Sequence, residues 1–235
     1  MTWSASWASW KASTRRETTV LPVLTDLAGS IERITGHPPD VIAPSAAEVR
    51  RLGLALEPPA RVESLDALFL HRHWGMRDVG IGVLASHFPF DERLTVGFNP
   101  ELAEVLGIEA PEVLGTKEGR PLGMIGGFAG GDLLVRVIAA FGEPEAVERG
   151  SGAEIRRVAA VGAMTDALVR EAAARGAGAY VTGQMRAPAR RAVAETGIAV
   201  IAIGHRRSEV WGLHLLARLL RDEWPGLETV VLDAP

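Results

Sequence analysis

Apolar and polar positions along the second half of the chain follow strand and helix periods in turn. The predicted strands are residues 155–161, 179–182, 198–203 and 227–232. The predicted helices are residues 132–141, 165–175, 188–195 and 207–221. Strands that alternate with helices through short connections are typical of a mostly parallel sheet with helices packed on it. The pattern therefore predicts an α/β fold.

The first half has a less regular pattern. Residues 18–35 place leucine and isoleucine at helical spacing and stop at Gly36, so they predict a helix. Two strands and a helix follow, at residues 65–70, 79–86 and 99–106. Residues 36–65 show no clear period, and residues 109–121, rich in Glu, Gly and Pro, predict a loop. We expect this loop to join two α/β halves, 18–115 and 116–235, that together form one compact unit.

The first residues carry three tryptophans at helical spacing, Trp3, Trp7 and Trp10. One interpretation is a short helix that docks on another surface. The other is a mobile tail or a wrongly assigned start, because terminal segments of this kind are often disordered. We therefore expect residues 1–17 to lie outside the two halves.

Composition narrows the classes of function. The chain has 235 residues, of which 47% are hydrophobic, and it has no cysteine. The absence of cysteine excludes disulfides, thiolate nucleophiles and cysteine-type zinc sites. The net charge of −4 gives no large basic surface, so nucleic acid is not expected as the main partner. No apolar run approaches the roughly 20 residues that span a membrane, and no signal peptide is evident, so a cytoplasmic protein is expected.

Three histidines follow predicted strands, and each has a possible metal-binding neighbour. His71, His87 and His205 come at or just after the strand ends, where parallel α/β sheets bind their ligands. His87 precedes Asp91, and His205 precedes Glu209 by one helical turn. Imidazole and carboxylate ligands together suit zinc, iron or manganese. Each fragment alone is also common without metal, as a helix-surface pair or a turn cap.

Several blocks around these residues resemble the Nif-three-like dinuclear metal-centre family, whose members are often labelled GTP cyclohydrolase I type 2 homologues. The most specific is Thr182-Gly183 followed by Gly204-His205-Arg206-Arg207-Ser208-Glu209. The resemblance covers roughly residues 64–235, and its other blocks are Asp66-Ala-Leu-Phe-Leu-His71, Ser86-His87-Phe-Pro-Phe-Asp91 and Pro121-Leu-Gly-Met-Ile-Gly126.

The resemblance implies a fold of two α/β halves and a ring-shaped hexamer. It also implies two divalent ions per subunit, held by His71, Asp91, His205 and Glu209, with His87 beside them. The ions would be zinc, iron or manganese, at one or two per chain.

The sequence departs from the family pattern at the second histidine of an adjacent pair, where Arg72 stands. His73 lies one residue further on and shares one face of an extended segment with His71. Either His73 serves as the ligand, or one of the two metal sites is weakened. Gln184 also stands where the family commonly has glutamate, and the family's aspartate-containing first strand is missing.

Arginines accompany the predicted site: Arg72, Arg186, Arg190, Arg191, Arg206 and Arg207. Guanidinium groups bind phosphate through two hydrogen bonds, so Arg72, Arg186 and Arg206 are candidates to bind an anionic, nucleotide-like small molecule. The alternative is that the arginines are solvated helix charges. The function expected is metal-dependent hydrolysis, with Glu209 or His87 moving the proton. A non-catalytic metal-binding or regulatory ring-forming protein is the alternative.

Overall fold

The structure, a computed structural model, describes residues 20–233 and forms two compact units. The first unit contains the described residues through Phe90 together with those from Gly212 onwards, and the second is Asp91–Trp211. The predicted tail at residues 1–17, with its tryptophans, lies outside the described residues. The end of the chain belongs to the first unit. The expected halves, 18–115 and 116–235, stay a prediction.

The first unit is built on a five-stranded sheet of order β1-β4-β3-β2-β11. Its strands are β1 (Asp40–Ala43), β2 (Arg51–Ala55), β3 (Ala67–Leu70), β4 (Gly82–Ala85) and β11 (Glu228–Val231). Neighbouring strands from β4 to β11 pair in parallel, and only β1 pairs antiparallel, with β4. Helix α1 (Leu24–Thr35) buries its apolar face and ends at Gly36, whose φ of 79° suits a left-handed cap.

The second unit contains a six-stranded sheet of order β5-β6-β8-β9-β10-β7. Its strands are β5 (Ile108–Lys117), β6 (Arg120–Phe128), β7 (Ala146–Glu148), β8 (Arg157–Val161), β9 (Ala179–Thr182) and β10 (Ala199–Ala202). The β8-β9-β10 core is parallel, and the outer pairs are antiparallel. The helices that follow α1 are α2 (Phe88–Leu94), α3 (Pro100–Leu106), α4 (Leu133–Phe141), α5 (Asp166–Ala174), α6 (Arg190–Thr196) and α7 (His205–Glu223).

The α/β fold predicted from the sequence is confirmed, with parallel strands at the centre of both sheets. The loop predicted at residues 109–121 is wrong, because β5 and β6 form a long hairpin there. Gly119 lies in the turn of this hairpin with a φ of 79°, whereas two other glycines, in β6, are closely approached by backbone atoms. A Cβ on Gly123 would lie 2.5 Å from the carbonyl oxygen of Ala160, and one on Gly126 would lie 2.3 Å from that of Glu109.

Helix α7 runs from the second unit into the first, and its end is fixed within the first unit. The Trp224 indole, 1% exposed, donates to the Ser30 hydroxyl at 3.1 Å. Glu223 forms an ion pair with Arg33 on α1. Among the described residues, no helix is both long enough and apolar enough to cross a lipid bilayer.

Candidate metal centre

The centre of the candidate site is His71, the first residue after β3. Its side chain is fully buried, and its backbone N–H donates to the carbonyl of Ala55 at 2.9 Å, which extends the β2–β3 pairing. Its ring Nδ1 lies 3.2 Å from the carbonyl oxygen of Ser86. When Nδ1 carries the proton, it donates to this carbonyl and leaves the lone pair of Nε2 for a metal ion. The carbonyl therefore sets both the orientation and the tautomer of a ligating imidazole.

The pairing of β3 with β4 brings His87 beside His71. The Ser86 N–H donates to the carbonyl of Leu70 at 3.0 Å, so the chain after β4 runs next to the chain after β3. The two imidazole centroids lie 4.7 Å apart. Asp91 then comes in the first turn of α2, which begins directly after His87. The register of β3 and β4 thus brings together His71 and Asp91, which are twenty residues apart in the sequence.

These three side chains form a group that could hold a metal ion. One ligand atom from each of His71, His87 and Asp91 lies within 4.8 Å of the others. Ligand atoms about 2.1 Å from a zinc ion can be at most about 4.2 Å apart, so binding would need only a small closure of the group. Two nitrogens and a carboxylate oxygen suit zinc, iron and manganese. The donor chemistry of the group therefore fits the expected cofactor.

An apolar wall supports the imidazoles. The His71 ring packs against Phe90 at 4.8 Å, and Phe90 packs against Phe69 at 5.9 Å. Both phenylalanines are fully buried, so they restrict the rotation of the His71 ring. Within the described residues the buried Ser86 hydroxyl oxygen has no hydrogen-bond partner. Such a group costs about 1–3 kcal/mol unless a bound species satisfies it.

The segment after His71 does not bring His73 into this group. Half-buried His73 lies in a turn, where its carbonyl accepts from the Met76 N–H at 2.9 Å. Its role as a ligand therefore stays a prediction. Arg72 is mostly buried, and its Nη1 lies 3.7 Å from a carboxylate oxygen of Glu57. That carboxylate offsets part of the charge that Arg72 adds near the two histidines.

A second histidine and carboxylate lie in the second unit, at the start of α7. His205 Nε2 is 3.1 Å from Glu209 Oε1, with the imidazole 59% exposed and the carboxylate 2% exposed. The Gly204 N–H donates to the carbonyl of Gly183 at 2.8 Å, which joins the two blocks of the most specific motif. A buried carboxylate requires polar or cationic partners. The pair therefore offers one nitrogen and one oxygen ligand on a single helical turn.

Comparison with known proteins identifies the family. The profile of Duf34/NIF3 (NGG1p interacting factor 3) matches residues 74–235. The chain belongs to the DUF34/NIF3 family. Two relatives are each described as a GTP cyclohydrolase 1 type 2 homolog. The one from Pseudomonas aeruginosa is 32% identical over 160 residues, which cover 66% of this chain and 62% of the relative. The one from Pyrococcus abyssi is 27% identical, with coverages of 74% and 71%.

Solved structures with the same fold are also similar to this chain. Reduced HcgD from Methanocaldococcus jannaschii has a TM-score of 0.72 at 21% identity, covering 92% of this chain and all of that one. A Bacillus cereus protein related to NIF3 has a TM-score of 0.67 at 13% identity, with coverages of 92% and 98%. At these identities the similarity shows the fold alone. The chain spans less than two thirds of the length of some relatives, 62% in the Pseudomonas protein.

The arginines predicted to bind an anion have different surroundings in this DUF34/NIF3 protein. Arg190 and Arg191 form ion pairs with Glu148 and Glu195, each at 2.7 Å. Arg207 donates to two backbone carbonyls, including that of Ile203 at 2.9 Å. Arg186 and Arg206 are exposed. The alternative of surface charges therefore describes Arg190 and Arg191, and the anion-binding role of Arg186 and Arg206 stays a prediction.

Two aromatic residues beside His87 of the candidate metal centre were not predicted from the sequence. Trp74 lies 5.4 Å from the His87 ring, and Phe88 stacks on that ring at 4.5 Å. Trp74 is 67% exposed and Phe88 is 58% exposed. Their positions next to candidate ligands in the sequence were the available signal, but helix and strand periods carry no information about such residues.

Proposed function

We propose that this DUF34/NIF3 protein binds a divalent ion of zinc, iron or manganese through His71, His87 and Asp91 and acts as a metal-dependent hydrolase. The observation that carries the proposal is the group of two imidazole nitrogens and one carboxylate oxygen within 4.8 Å of one another. The buried position of His71 and the carbonyl that orients its ring support the same role. His87, which the sequence placed beside the ligands, is thus proposed as a ligand itself, and the role of His73 stays a prediction.

The pair at the start of α7 is proposed as a second ligand pair. His205 and Glu209 supply an imidazole and a carboxylate 3.1 Å apart, which is a suitable donor set for a divalent ion. With both groups of ligands the chain would hold one or two ions. Each group is testable by its own substitutions, because the two share no residue.

Hydrolysis is the reaction class that this chemistry favours. A bound divalent ion would supply a Lewis acid and would lower the pKa of a bound water to about 7. His87 and Glu209 are the candidates for moving the proton, each when it is not itself bound to an ion. The curated relatives are described as GTP cyclohydrolase 1 type 2 homologs. We therefore propose an anionic, nucleotide-like substrate, with Arg72, Arg186 and Arg206 as candidate cations.

The second candidate is a non-catalytic metal-binding or regulatory protein that assembles into a ring, hexameric as the family resemblance implies. The observation that favours it is the pairing of Arg190 and Arg191 with glutamates, which removes two cations from anion binding. In this case the metal would stabilise the fold or be stored.

Metal analysis combined with turnover tests the two candidates. Wild-type protein would be analysed by mass spectrometry for zinc, iron and manganese and assayed with GTP and with a phosphoester. His87→Ala and Asp91→Asn are the test variants. Turnover that a chelator abolishes without loss of circular dichroism supports the hydrolase. Unfolding on chelation supports a structural metal. Metal binding unchanged in both variants would contradict the proposed ligands.

A further inference from the structure

Within residues 20–233, the large exposed aromatic side chains lie at one histidine of the candidate metal centre. Eight large hydrophobic side chains are exposed among the described residues, and six of them are aliphatic. The two aromatic ones are Trp74 and Phe88, and both contact the His87 ring. Exposed single aliphatic residues are ordinary on protein surfaces, but two aromatic rings on one candidate ligand call for an explanation.

The two aromatic rings are oriented differently with respect to the His87 imidazole. Phe88 lies nearly parallel to the His87 imidazole, with 24° between the planes, so the phenyl ring covers one face of the imidazole. Trp74 meets the same imidazole nearly at right angles, with 86° between the planes. The indole and phenyl planes are therefore steeply inclined to each other, and we call the exposed surface of these two rings beside His87 the corner and each ring a wall of it. The indole is the larger wall and the more exposed one.

The charged neighbours of Trp74 limit what this corner can bind. Gly75, Arg77 and Asp78 follow it in the same loop and are exposed, so the apolar surface does not extend along the chain. A standard protein interface buries about 800 Å² on each partner, far more than two rings supply. A small molecule with a flat ring fits the corner better, because a planar ring can stack on one wall and contact the other with its edge.

We propose that Trp74 is a stacking platform for a planar heteroaromatic ring, such as a nucleobase, and that Phe88 forms the adjoining wall. The proposal rests on the function proposed above, since it names the class of substrate that the metal centre would act on. Stacking on an aromatic side chain is tolerant of ring type because every base has a π face. The corner would thus hold the base of a nucleotide next to His87.

Binding of guanosine monophosphate and of ribose 5-phosphate, measured by calorimetry on the full chain, tests the proposal. The two probes share sugar and phosphate, so their difference reports the base. Wild type should bind guanosine monophosphate at least about tenfold more tightly. Trp74→Ala should abolish this preference, Trp74→Phe should keep most of it, and Phe88→Ala should have a smaller effect than Trp74→Ala. Val135→Ala, at an exposed apolar position on α4, is the control and should match wild type.

Two results would overturn the stacking platform. One is equal affinity of wild type for the two probes, including the absence of binding to either. The other is Trp74→Ala binding guanosine monophosphate as tightly as wild type does. The metal content of the same samples distinguishes failure of the stacking platform from failure of the proposed metal-dependent function. A base preference without any bound metal would contradict only the metal centre. Bound metal without a base preference would contradict only the platform.

Discussion

Replacing Glu209 with glutamine tests whether the pair at the start of α7 binds metal. Glutamine keeps the size of the side chain and nearly the same helix propensity, but it removes the anionic oxygen. The carboxylate is 2% exposed and lies 3.1 Å from His205 Nε2, so it is held in place. Loss of an outer-shell partner of a metal ligand costs 10- to 100-fold in affinity. Loss of a direct anionic ligand should therefore cost at least about 100-fold, or about 2.7 kcal/mol.

Glu195→Gln is the matched control, since it makes the same chemical change on a nearby helix. Glu195 is half exposed and pairs with Arg191 and Arg170, both at 2.7 Å. Hydrogen bonds from Arg191 and then Arg170 lower the pKa of this carboxyl group. Because no proposed ligand depends on it, the control variant should keep the metal content of wild type.

The assay is equilibrium dialysis against zinc or manganese, followed by thermal melts with and without a chelator. Glu209→Gln should lose metal, and the chelator should no longer change its melting temperature. Under the alternative, the buried Glu209 carboxylate pairs with His205 and holds no ion. Both variants would then keep the metal content of wild type, and the chelator would change both melting temperatures as it changes that of wild type. That result would refute the assignment of His205 and Glu209 as ligands.

Three further predictions follow from other parts of the molecule. The protein should purify with fewer than two divalent ions per chain, because the positive charge of the Arg72 guanidinium opposes binding of a second dication. Arg72→His should raise the number of ions per chain found by metal analysis. Two tightly held ions in wild type would contradict this prediction. Burial raises the pKa of Tyr180, the single tyrosine, above that of tyrosine in the unfolded chain, which is about 10. The free energy of unfolding should therefore be constant below about pH 10 and fall as the pH rises further. Absorbance should show tyrosinate only on unfolding, and Tyr180→Phe should reduce the alkaline loss. Gly126→Ala should destabilise the hairpin by about 1–3 kcal/mol in urea unfolding, whereas Gly127→Ala, whose Cβ would meet nothing closer than 3.8 Å, should cost much less.

Local signals in the sequence were sufficient for some elements. Asn99 and Pro100 marked the start of α3, where the Asn99 side chain accepts from two backbone N–H groups. The apolar run at β9 was predicted with the observed bounds, Ala179–Thr182. The hairpin of β5 and β6 was missed because Pro111, Gly115 and Gly119 are residue types typical of loops, and strand pairing is not visible in a local pattern. Strands β1 and β7 are short and partly exposed, and β2 carries an arginine and a glycine in its apolar run, so none of the three was predicted.

The candidate site was predicted in its residue types but not in its grouping. The sequence identified His71 and Asp91 as ligands and placed His87 beside them. Strand register determines that His87 joins the other two, because Leu70 pairs with Ala85 and each histidine follows shortly after. The sequence spacing of His71 and His73 suggested a shared face, but the turn after β3 ends the extended segment. Side-chain exposure at Trp74 was equally invisible before the fold was known.

The position of β11 at the edge of the first sheet has a consequence for synthesis on the ribosome. The Asp233 carboxylate accepts from the Leu56 N–H at 2.6 Å across 177 residues of chain. At a translation rate of about 5–20 residues per second, β11 is therefore synthesised about 10–35 s after β2, with which it pairs. Throughout that interval the mostly apolar edge of β2 remains open, and open strand edges can pair with other chains. All of residues 91–211 are synthesised before β11, so this edge stays unpaired until β11 has been made.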